Sequence, residues 1–591
     1  MNSRFVLFAL AIPLLFVGSV FCSASPVQYT IRVDPADLSG FDVEMRIPDP
    51  RGTLRVAMAA HPEYDDRYYR YIANFSAESA GRKLAVTKSE DAVWQIEGGG
   101  GEVTVRYRLK LPSQERAIRD AWKPYLTATG GMVGDLHSLM YVVGGESLPA
   151  RLTLEMPSGW KAASGLKSTS KPNVFTGSTE LMLDAPVVVG DFREWEFTAA
   201  GVPHKIVLWS SSDAKAVDTV AIVDGIKKLT DQAIRAFGRP PYPRYAFLLQ
   251  NGGSAALEHA TSLNVGLAID LSDTFEEIAH EYVHVWNLMD VRPRERIGVH
   301  SRFAEPTNVL WWSEGATIMF ADLLIRRAGL SDTRRSRIAH LESILARYFS
   351  SPGYSTLSAE LVSRADSHPQ LIGDNFASTH LQGQALTVMV DLQIRSLSDG
   401  QRKLEDVQRS LSSRFNSRVG IDNSDIRNAI ENVCRCDMQT FFREHIAGAK
   451  QIDFSHYLRL IGMRADVTWA PAVNQDGKHA VDLRVWPLSP GGEVKLRITH
   501  PNSAWARAGL RSGDKLVSAD GKLIPDWPAF RNWLRQLKIG DTGRLTIVRD
   551  GTSKTVEVPL SPYDVPTVRL AGLSDATPAQ IGLRNAWMDA K

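Results

Sequence analysis

The stretch AHEYVHVWN, Ala279–Asn287, carries two histidines four residues apart, with a glutamate directly after the first. Residues i and i+4 share one face of an α-helix, so His280 and His284 can each offer a ring nitrogen to one zinc ion. Glu281 points off that face but lies beside the metal's open position, where a carboxylate can take a proton from water. The stretch predicts a zinc-binding helix with a general base, rather than a surface helix that carries two histidines by chance.

A third ligand is predicted 30 positions after His284, at the start of the helical stretch NVLWWSEGATIMFADLLIRRAGL. Glu314 would complete a His₂Glu set, a usual arrangement for catalytic zinc that leaves one position for water. Asp322 shares a helix face with Glu314. It would either hold a ligating histidine from outside the ligand set or be an ordinary solvated helix charge.

A candidate substrate-binding loop lies upstream, in NGGSAALEHATS. Glu258 and His259 follow a glycine-rich turn at the end of a predicted strand. A carboxylate at the strand edge that faces the metal would bind the α-amino group of a substrate, which indicates an aminopeptidase. The alternative is that Glu258 is an ordinary acidic loop residue.

The length of 591 residues predicts three or four domains. Residues 25–205 alternate apolar and polar positions, as in EVTVRYRLKL, and predict a β-sandwich-like domain. Residues 206–463 are mostly helical, residues 464–565 combine short strands and helices, and residues 566–591 are expected to form a polar tail with an amphipathic piece, PAQIGLRNAW. The predicted fold class is multidomain α+β.

The N-terminus has the pattern of an export signal, with Arg4 ahead of the apolar run Phe5–Val20 and small residues before an expected cleavage after Ala24. Residues 1–24 are therefore expected to be removed and the mature protein to be periplasmic or secreted, without a membrane anchor. The net charge of +2 gives no reason to expect nucleic acid.

Two cysteines remain after removal of the signal, Cys434 and Cys436 in NVCRCDM. They would form a tight disulfide in an oxidising compartment or stay as two neighbouring thiols at a helix end, and we favour the thiols.

Several motifs together resemble the PDZ-bearing glycyl aminopeptidases, a family of gluzincin metallopeptidases with a thermolysin-like catalytic domain. These motifs are HEYVHVWN…RP, LWWSEGATIMFADLLIRRAGL, LQGQALTVMVDLQIR, DLHSLMYVVGGE and LMLDAPVVVGDF, and AGLRSGDKLVSADGK resembles a bacterial PDZ domain. The resemblance implies an exported bacterial Zn²⁺ aminopeptidase that removes N-terminal glycine and alanine. It also implies zinc at His280, His284 and Glu314, Glu281 as the base, and an amine anchor at Glu258.

Departures from the family pattern at three places affect the expected site. A tyrosine usually stands three residues before the glycine that matches Gly383, where it stabilises the oxyanion, and His380 stands there in this chain. An imidazole N–H is also a hydrogen-bond donor, so we expect His380 to take that catalytic role. The alternative is that His380 is a packed helix residue and that Thr379 or a water fills the gap. Thr379 replaces a second tyrosine, LMD replaces the basic residues after WN, and the glycine loop carries extra residues.

Two other functions remain open at this point. In a zinc endopeptidase the loop around Glu258 would be merely structural. In a non-catalytic scaffold the PDZ domain would bind peptides or proteins and the zinc site would be idle. The intact Glu281 argues against the scaffold. The partners expected are peptide substrates and a peptide or protein ligand of the PDZ domain. The usual PDZ groove captures a C-terminal carboxylate by strand addition, and in this chain the stretch WPLSPGGEV is a weak candidate for the carboxylate loop.

Overall fold

The computed structural model describes residues 25–50, 52–58, 67–98, 100–112, 121–267, 270–297, 305–331, 336–364, 378–488 and 493–590. The predicted signal at residues 1–24 lies outside these ranges. No helix among the described residues is both long and apolar enough to cross a lipid bilayer. The predicted α+β fold class is confirmed, because a β-rich region, a helical region and a second, smaller region with strands follow one another along the chain.

The N-terminal region is built on three antiparallel or mixed sheets. Its elements are β1 (Val27–Arg32), β2 (Gly40–Ile47), β3 (Leu54–Ala57), β4 (Ile72–Ser79), β5 (Arg82–Lys83), β6 (Ala85–Glu90), β7 (Val93–Glu97), β8 (Val103–Lys110), β9 (Tyr125–Thr127), β10 (Gly130–Gly134), α1 (Asp135–Ser138), β11 (Tyr141–Val142), β12 (Pro149–Glu155), β13 (Lys161–Ser164), β14 (Lys167–Ser168), β15 (Val174–Ser178), α2 (Thr179–Asp184) and β16 (Pro186–Gly190). The largest sheet has the order β14-β15-β12-β1-β2-β8-β4-β5. The alternation in Val103, Val105, Tyr107 and Leu109 places these four side chains in its core, as the period of two requires.

The middle region combines one sheet with many helices. Its elements are β17 (Arg193–Ala199), β18 (Val202–Ser210), α3 (Thr219–Phe237), β19 (Tyr245–Asn251), β20 (Ala256–Glu258), β21 (Ser262–Gly266), α4 (Leu271–Val283), α5 (Leu310–Arg327), α6 (Arg337–Ser350), α7 (Ala359–Val362), α8 (Thr379–Leu397), α9 (Leu404–Arg414), α10 (Asn423–Cys434), α11 (Gln439–Phe441) and α12 (Phe454–Arg459). The sheet order is β17-β18-β19-β21-β20, with β20 antiparallel at one edge. The sheet begins at Arg193, ahead of the predicted boundary at residue 206.

The third region contains a small sheet and an antiparallel ribbon. Its elements are β22 (Met463–Pro471), β23 (Trp486–Pro487), β24 (Leu496–Arg497), α13 (Ala504–Arg507), β25 (Lys515–Ala519), β26 (Lys522–Leu523), α14 (Trp527–Leu534), β27 (Thr542–Arg549), β28 (Thr552–Pro559), β29 (Asp564–Gly572) and α15 (Pro578–Met588). The sheet has the order β26-β25-β27-β28, and β22 pairs with β29 over nine residue pairs. In this ribbon, β22 follows the last helix of the middle region, and β29 leads back to that region through α15.

The C-terminal segment is integrated into the middle region and is not a polar tail. The side chain of Trp587 on α15 is 1% exposed, and the guanidinium of Arg337 on α6 lies 4.2 Å from the centre of its ring. Arg337 also donates a hydrogen bond to the carbonyl of Trp587, and Arg327 donates one to the carbonyl of Ala590. The apolar face of PAQIGLRNAW therefore completes the core of the middle region.

The favoured interpretation of Cys434 and Cys436 as free thiols is wrong. Cys434 and Cys436 form a disulfide at the end of α10. Arg435 between them has a φ of 54°, a left-handed conformation that ends the helix and allows the tight bridge.

Candidate metal centre

Helix α4 presents the two histidines of the opening motif on one face. Asp270 caps the helix by accepting a hydrogen bond from the backbone N–H of Ser272 at 2.7 Å, and α4 begins at the next residue, Leu271. The Nε2 atoms of His280 and His284 lie 3.0 Å apart. The predicted i, i+4 arrangement is therefore present as the motif requires.

A buried tyrosine–histidine chain fixes the opposite face of α4. The hydroxyl of Tyr282 hydrogen-bonds to that of Tyr242, which lies 2.8 Å from Nε2 of His204. His204 is held in turn by the carbonyl of Val202 through its Nδ1 at 2.9 Å. All three side chains are almost fully buried. Satisfied buried polar groups of this kind rigidify a core, so the sheet holds the histidine helix in a fixed orientation.

Helices α5 and α8 meet at two glycines and bring the third ligand into place. A Cβ added to Gly315 would lie 2.1 Å from the carbonyl carbon of Gly383, so only glycine allows this approach of the two backbones. Glu314, next to Gly315, thereby reaches the histidines. Its Oε2 lies 3.4 Å from Nε2 of His280 and 3.4 Å from Nε2 of His284.

Asn287 supports this arrangement, although no role was predicted for it. Its carbonyl lies 3.4 Å from Nδ1 of His284, the ring nitrogen that faces away from the cluster. Its side-chain amide donates to the carbonyls of Trp312 and Ser313 at 3.2 and 3.3 Å, at the start of α5. The asparagine thus ties the turn after α4 to the helix of Glu314. The only sequence signal was its position three residues after His284.

The donor set fits zinc. Bonds of about 2.0–2.1 Å in a tetrahedral site place neighbouring ligand atoms about 3.3 Å apart. The three separations among His280, His284 and Glu314 are 3.0, 3.4 and 3.4 Å. Two neutral imidazoles and one carboxylate are also the ligand types of catalytic zinc sites.

The electrostatics of the cluster favour a bound cation. Burial and the positive charge of the neighbouring His284 together lower the pKa of His280 to about 4. Burial alone would lower the pKa of His284, but the carboxylate of Glu314 outweighs it and raises the pKa to about 10. Burial also opposes ionisation of Glu314, yet the charges of His284 and His380 hold the pKa of Glu314 well below its usual range. The site therefore stabilises an anionic Glu314 beside a positive charge.

Glu281 is buried beside the ligand face, with 6% of its surface exposed. Burial raises the pKa of its carboxyl well above the usual range, and the negative charge of Glu258 raises it further. A nearby bound cation acts in the opposite direction on such a group. The pKa of Glu281 therefore depends strongly on whether a metal is bound. A general base needs a pKa that lets it both accept and release a proton.

The two adjacent residues of the predicted substrate loop have different surroundings in the structure. Glu258 ends the edge strand β20 and is half-buried, near enough to Glu281 to affect the pKa of that carboxyl. His259 is 4% exposed, and its Nδ1 lies 3.4 Å from a carboxylate oxygen of Asp184 on α2. Asp184 also accepts the backbone N–H of Ala260 at 2.8 Å. The N-terminal region thus fixes the turn beside Glu258.

Asp322 does not hold a ligating histidine, which was one of the two roles predicted for it. Its carboxylate accepts hydrogen bonds from Arg326 at 2.7 Å and Arg337 at 3.3 Å. Its side chain is 11% exposed, so it is not a solvated helix charge either. Asp322 instead connects α5 to the buried arginine on which Trp587 stacks.

His380 lies at the cluster itself. Its Nε2 is 3.1 Å from Oε2 of Glu314, and its ring stacks on that of His280 with centres 5.7 Å apart. Thr379, beside it, has its hydroxyl 3.4 Å from Nδ1 of His380. The residue that stands where the family usually has tyrosine is thus within reach of any group bound at the metal.

Three family models match the chain. Residues 28–191 match the Peptidase M61 N-terminal domain, residues 273–384 match M61 glycyl aminopeptidase, and residues 480–560 match the PDZ domain. No curated protein sequence matches the chain. These matches confirm the resemblance drawn from the motifs.

Solved structures share the fold. An aminopeptidase N family protein from Idiomarina loihiensis is 22% identical, with a TM-score of 0.73, and the match covers 94% of this chain and 99% of that one. An M1 zinc metallopeptidase from Deinococcus radiodurans is 14% identical, with a TM-score of 0.47, over 73% of this chain and 95% of that one. The family matches and the intact ligand set identify the chain as a zinc metallopeptidase of the aminopeptidase kind.

Proposed function

We propose, for a chain that carries the domains of the M61 glycyl aminopeptidases, that it is an exported enzyme removing N-terminal glycine and alanine from peptides. The observation that carries this proposal is the convergence of His280, His284 and Glu314 beside the buried Glu281. The family description supports the preference for small residues. The metal proposed is one Zn²⁺ per chain, bound by these two histidines and Glu314.

The zinc would act as a Lewis acid on the substrate carbonyl and lower the pKa of water to about 7. Glu281 accepts the proton of the attacking water and delivers it to the leaving amine. Because Glu281 is buried, the proton passes from the attacking water to the carboxylate and from there to the leaving amine. His380 donates a hydrogen bond to the oxygen on which negative charge develops, the role given to tyrosine in the family.

Glu258 is proposed to bind the free α-ammonium of the substrate. It lies at the end of β20, the edge strand of the sheet, and an extended peptide can add to such an edge by main-chain hydrogen bonds. The carboxylate would then fix how far the peptide enters, so the first peptide bond is the one cleaved. His259 supports this binding indirectly, because its contact with Asp184 fixes the turn beside Glu258.

Export is supported by two features. The predicted signal occupies residues 1–24, and the Cys434–Cys436 disulfide is typical of oxidising compartments. We propose that the mature protein is periplasmic or secreted, and that its PDZ domain binds a peptide or protein segment.

The experiment that tests the function measures residue release by the purified mature protein. Glycyl and alanyl peptides with free N-termini should be cleaved at the first bond, ahead of leucyl peptides. The same peptides with acetylated N-termini should be poor substrates, because Glu258 then has no ammonium to bind. Equal cleavage of free and acetylated peptides would instead establish the endopeptidase alternative.

A further inference from the structure

A fourth donor atom lies at the metal cluster, beyond the three proposed ligands. The separation between Nε2 of His380 and Oε2 of Glu314 is 3.1 Å, within the 3.0–3.4 Å range found among the other three donors. The donor atoms of His280, Glu314 and His380 all lie within 4.8 Å of one another. Neighbouring ligands of tetrahedral zinc are about 3.3 Å apart. The distance between His380 and Glu314 is therefore that of two neighbouring zinc ligands.

The orientation of the imidazole is that of a ligand. The hydroxyl of Thr379 lies 3.4 Å from Nδ1 of His380, on the side away from the cluster. A ligating histidine usually donates its other ring N–H to an oxygen, which fixes the tautomer and leaves the second nitrogen's lone pair for the metal. With Nδ1–H directed at the threonine, the lone pair of Nε2 is available to a metal ion bound beside Glu314. A tyrosine at this position would offer only a phenol.

The position of His380 is built into the helix contact. Ser378 caps α8 by accepting the backbone N–H of Leu381, which sets the first turn in which His380 stands. The contact between Gly315 and Gly383 then holds this turn against Glu314. The side chain of His380 nevertheless remains 52% exposed, whereas that of His284 is 2% exposed. It is the one of the three imidazoles that has solvent space into which to move.

We propose that His380 is a fourth protein ligand of the zinc in the substrate-free enzyme, through Nε2. When a substrate oxygen takes its place, His380 leaves the metal and takes a proton from solvent at Nε2, which it then donates in a hydrogen bond to that oxygen. Four protein ligands close a zinc site, whereas catalytic sites keep one position open. The resting enzyme would therefore hold its zinc in a closed His₃Glu shell. The inference rests on the zinc site of the proposed function.

Zinc K-edge X-ray absorption of the zinc-loaded full chain counts the imidazoles directly. We expect three in the wild type and two in His380→Phe. The matched control is His456→Phe, at an exposed histidine on α12, which should keep three. Adding glycine hydroxamate, a two-oxygen chelator, to the wild type should reduce the count to two.

Zinc affinity gives a second readout, by competition with a chromogenic chelator. Changing a partner outside the ligand set typically costs about 10–100-fold in metal affinity, so loss of a ligand in His380→Phe should cost at least about tenfold. His456→Phe should bind zinc as the wild type does. Circular dichroism of each variant checks that it is folded.

Two imidazoles in the wild type, or a zinc affinity of His380→Phe equal to that of the wild type, would overturn the inference while leaving the proposed function intact. Three imidazoles that persist with the hydroxamate bound would overturn the displacement. A wild-type chain that takes up no zinc contradicts the proposed function itself. The two failures are therefore distinguishable.

Discussion

Gly315 on α5 and Gly383 on α8 are in direct backbone contact, and this contact sets the distance between Glu314 and His380. A Cβ on Gly315 would lie 2.3 Å from Cα of Gly383, and one on Gly383 would lie 2.1 Å from the carbonyl oxygen of Trp311. Both obstacles are backbone atoms, which cannot turn away. The glycines therefore act on the metal site through the spacing of two helices.

Gly315→Ala should separate α5 from α8 and weaken zinc binding. Overpacking of a close contact costs about 1–3 kcal/mol, so thermal unfolding should shift down, and zinc affinity should fall with it. Gly582→Ala on α15 is the control, since an added Cβ there meets nothing within 4 Å and alanine favours helix. Unchanged stability and zinc affinity in Gly315→Ala would show that α5 and α8 can accommodate an extra Cβ without moving apart.

Asn287→Ala should weaken zinc binding without removing a ligand. The substitution leaves the carbonyls of Trp312 and Ser313 without their donor and frees the turn that faces Nδ1 of His284. Loss of such a supporting group typically lowers metal affinity about 10–100-fold. Chelator competition measures the effect. An affinity equal to that of the wild type would mean that α4 alone orients His284.

Glu258→Gln should lower kcat/KM for peptides with a free N-terminus. Leaving a charged group without its partner costs about 1–3 kcal/mol, which corresponds to about 5-fold to 160-fold in rate. Acetylated peptides, cleaved slowly, should be affected much less. If both substrate types lose the same factor, Glu258 does not recognise the amine.

Trp587→Ala should destabilise the catalytic region from the far end of the chain. Removing a buried tryptophan costs about 3–5 kcal/mol, and here it also exposes the guanidinium of Arg337. Ile581→Ala on the same helix is the control, because that side chain is 36% exposed. Thermal unfolding monitored by circular dichroism measures both. An equal, small effect of the two substitutions would mean that α15 is a detachable appendage.

Most of the predicted site residues followed from the spacing of side chains along one helix. The i, i+4 rule places His280 and His284 on one face whatever surrounds them, and Glu281 follows from the same geometry. Glu314 was recognisable because a carboxylate at the start of the next apolar helix completes a familiar ligand set. These inferences need only local structure.

Contacts between distant parts of the chain were not predictable in this way. Asp184, which holds His259 and the turn beside Glu258, comes from a different region 75 residues earlier. Trp587 meets Arg337 across 250 residues, so PAQIGLRNAW looked like a free amphipathic tail.

The central claim is that Glu281 is the base of a zinc peptidase, and Glu281→Gln tests it most directly. Glutamine keeps the shape of the side chain but cannot accept the proton, and general-base catalysis contributes about 10²–10⁴-fold. We predict one zinc per chain in the variant, as in the wild type, with hydrolysis of a glycyl arylamide reduced at least about 10²-fold. Glu196→Gln, at a side chain 73% exposed on β17, should match the wild type. Wild-type turnover by Glu281→Gln with its zinc bound would contradict the mechanism.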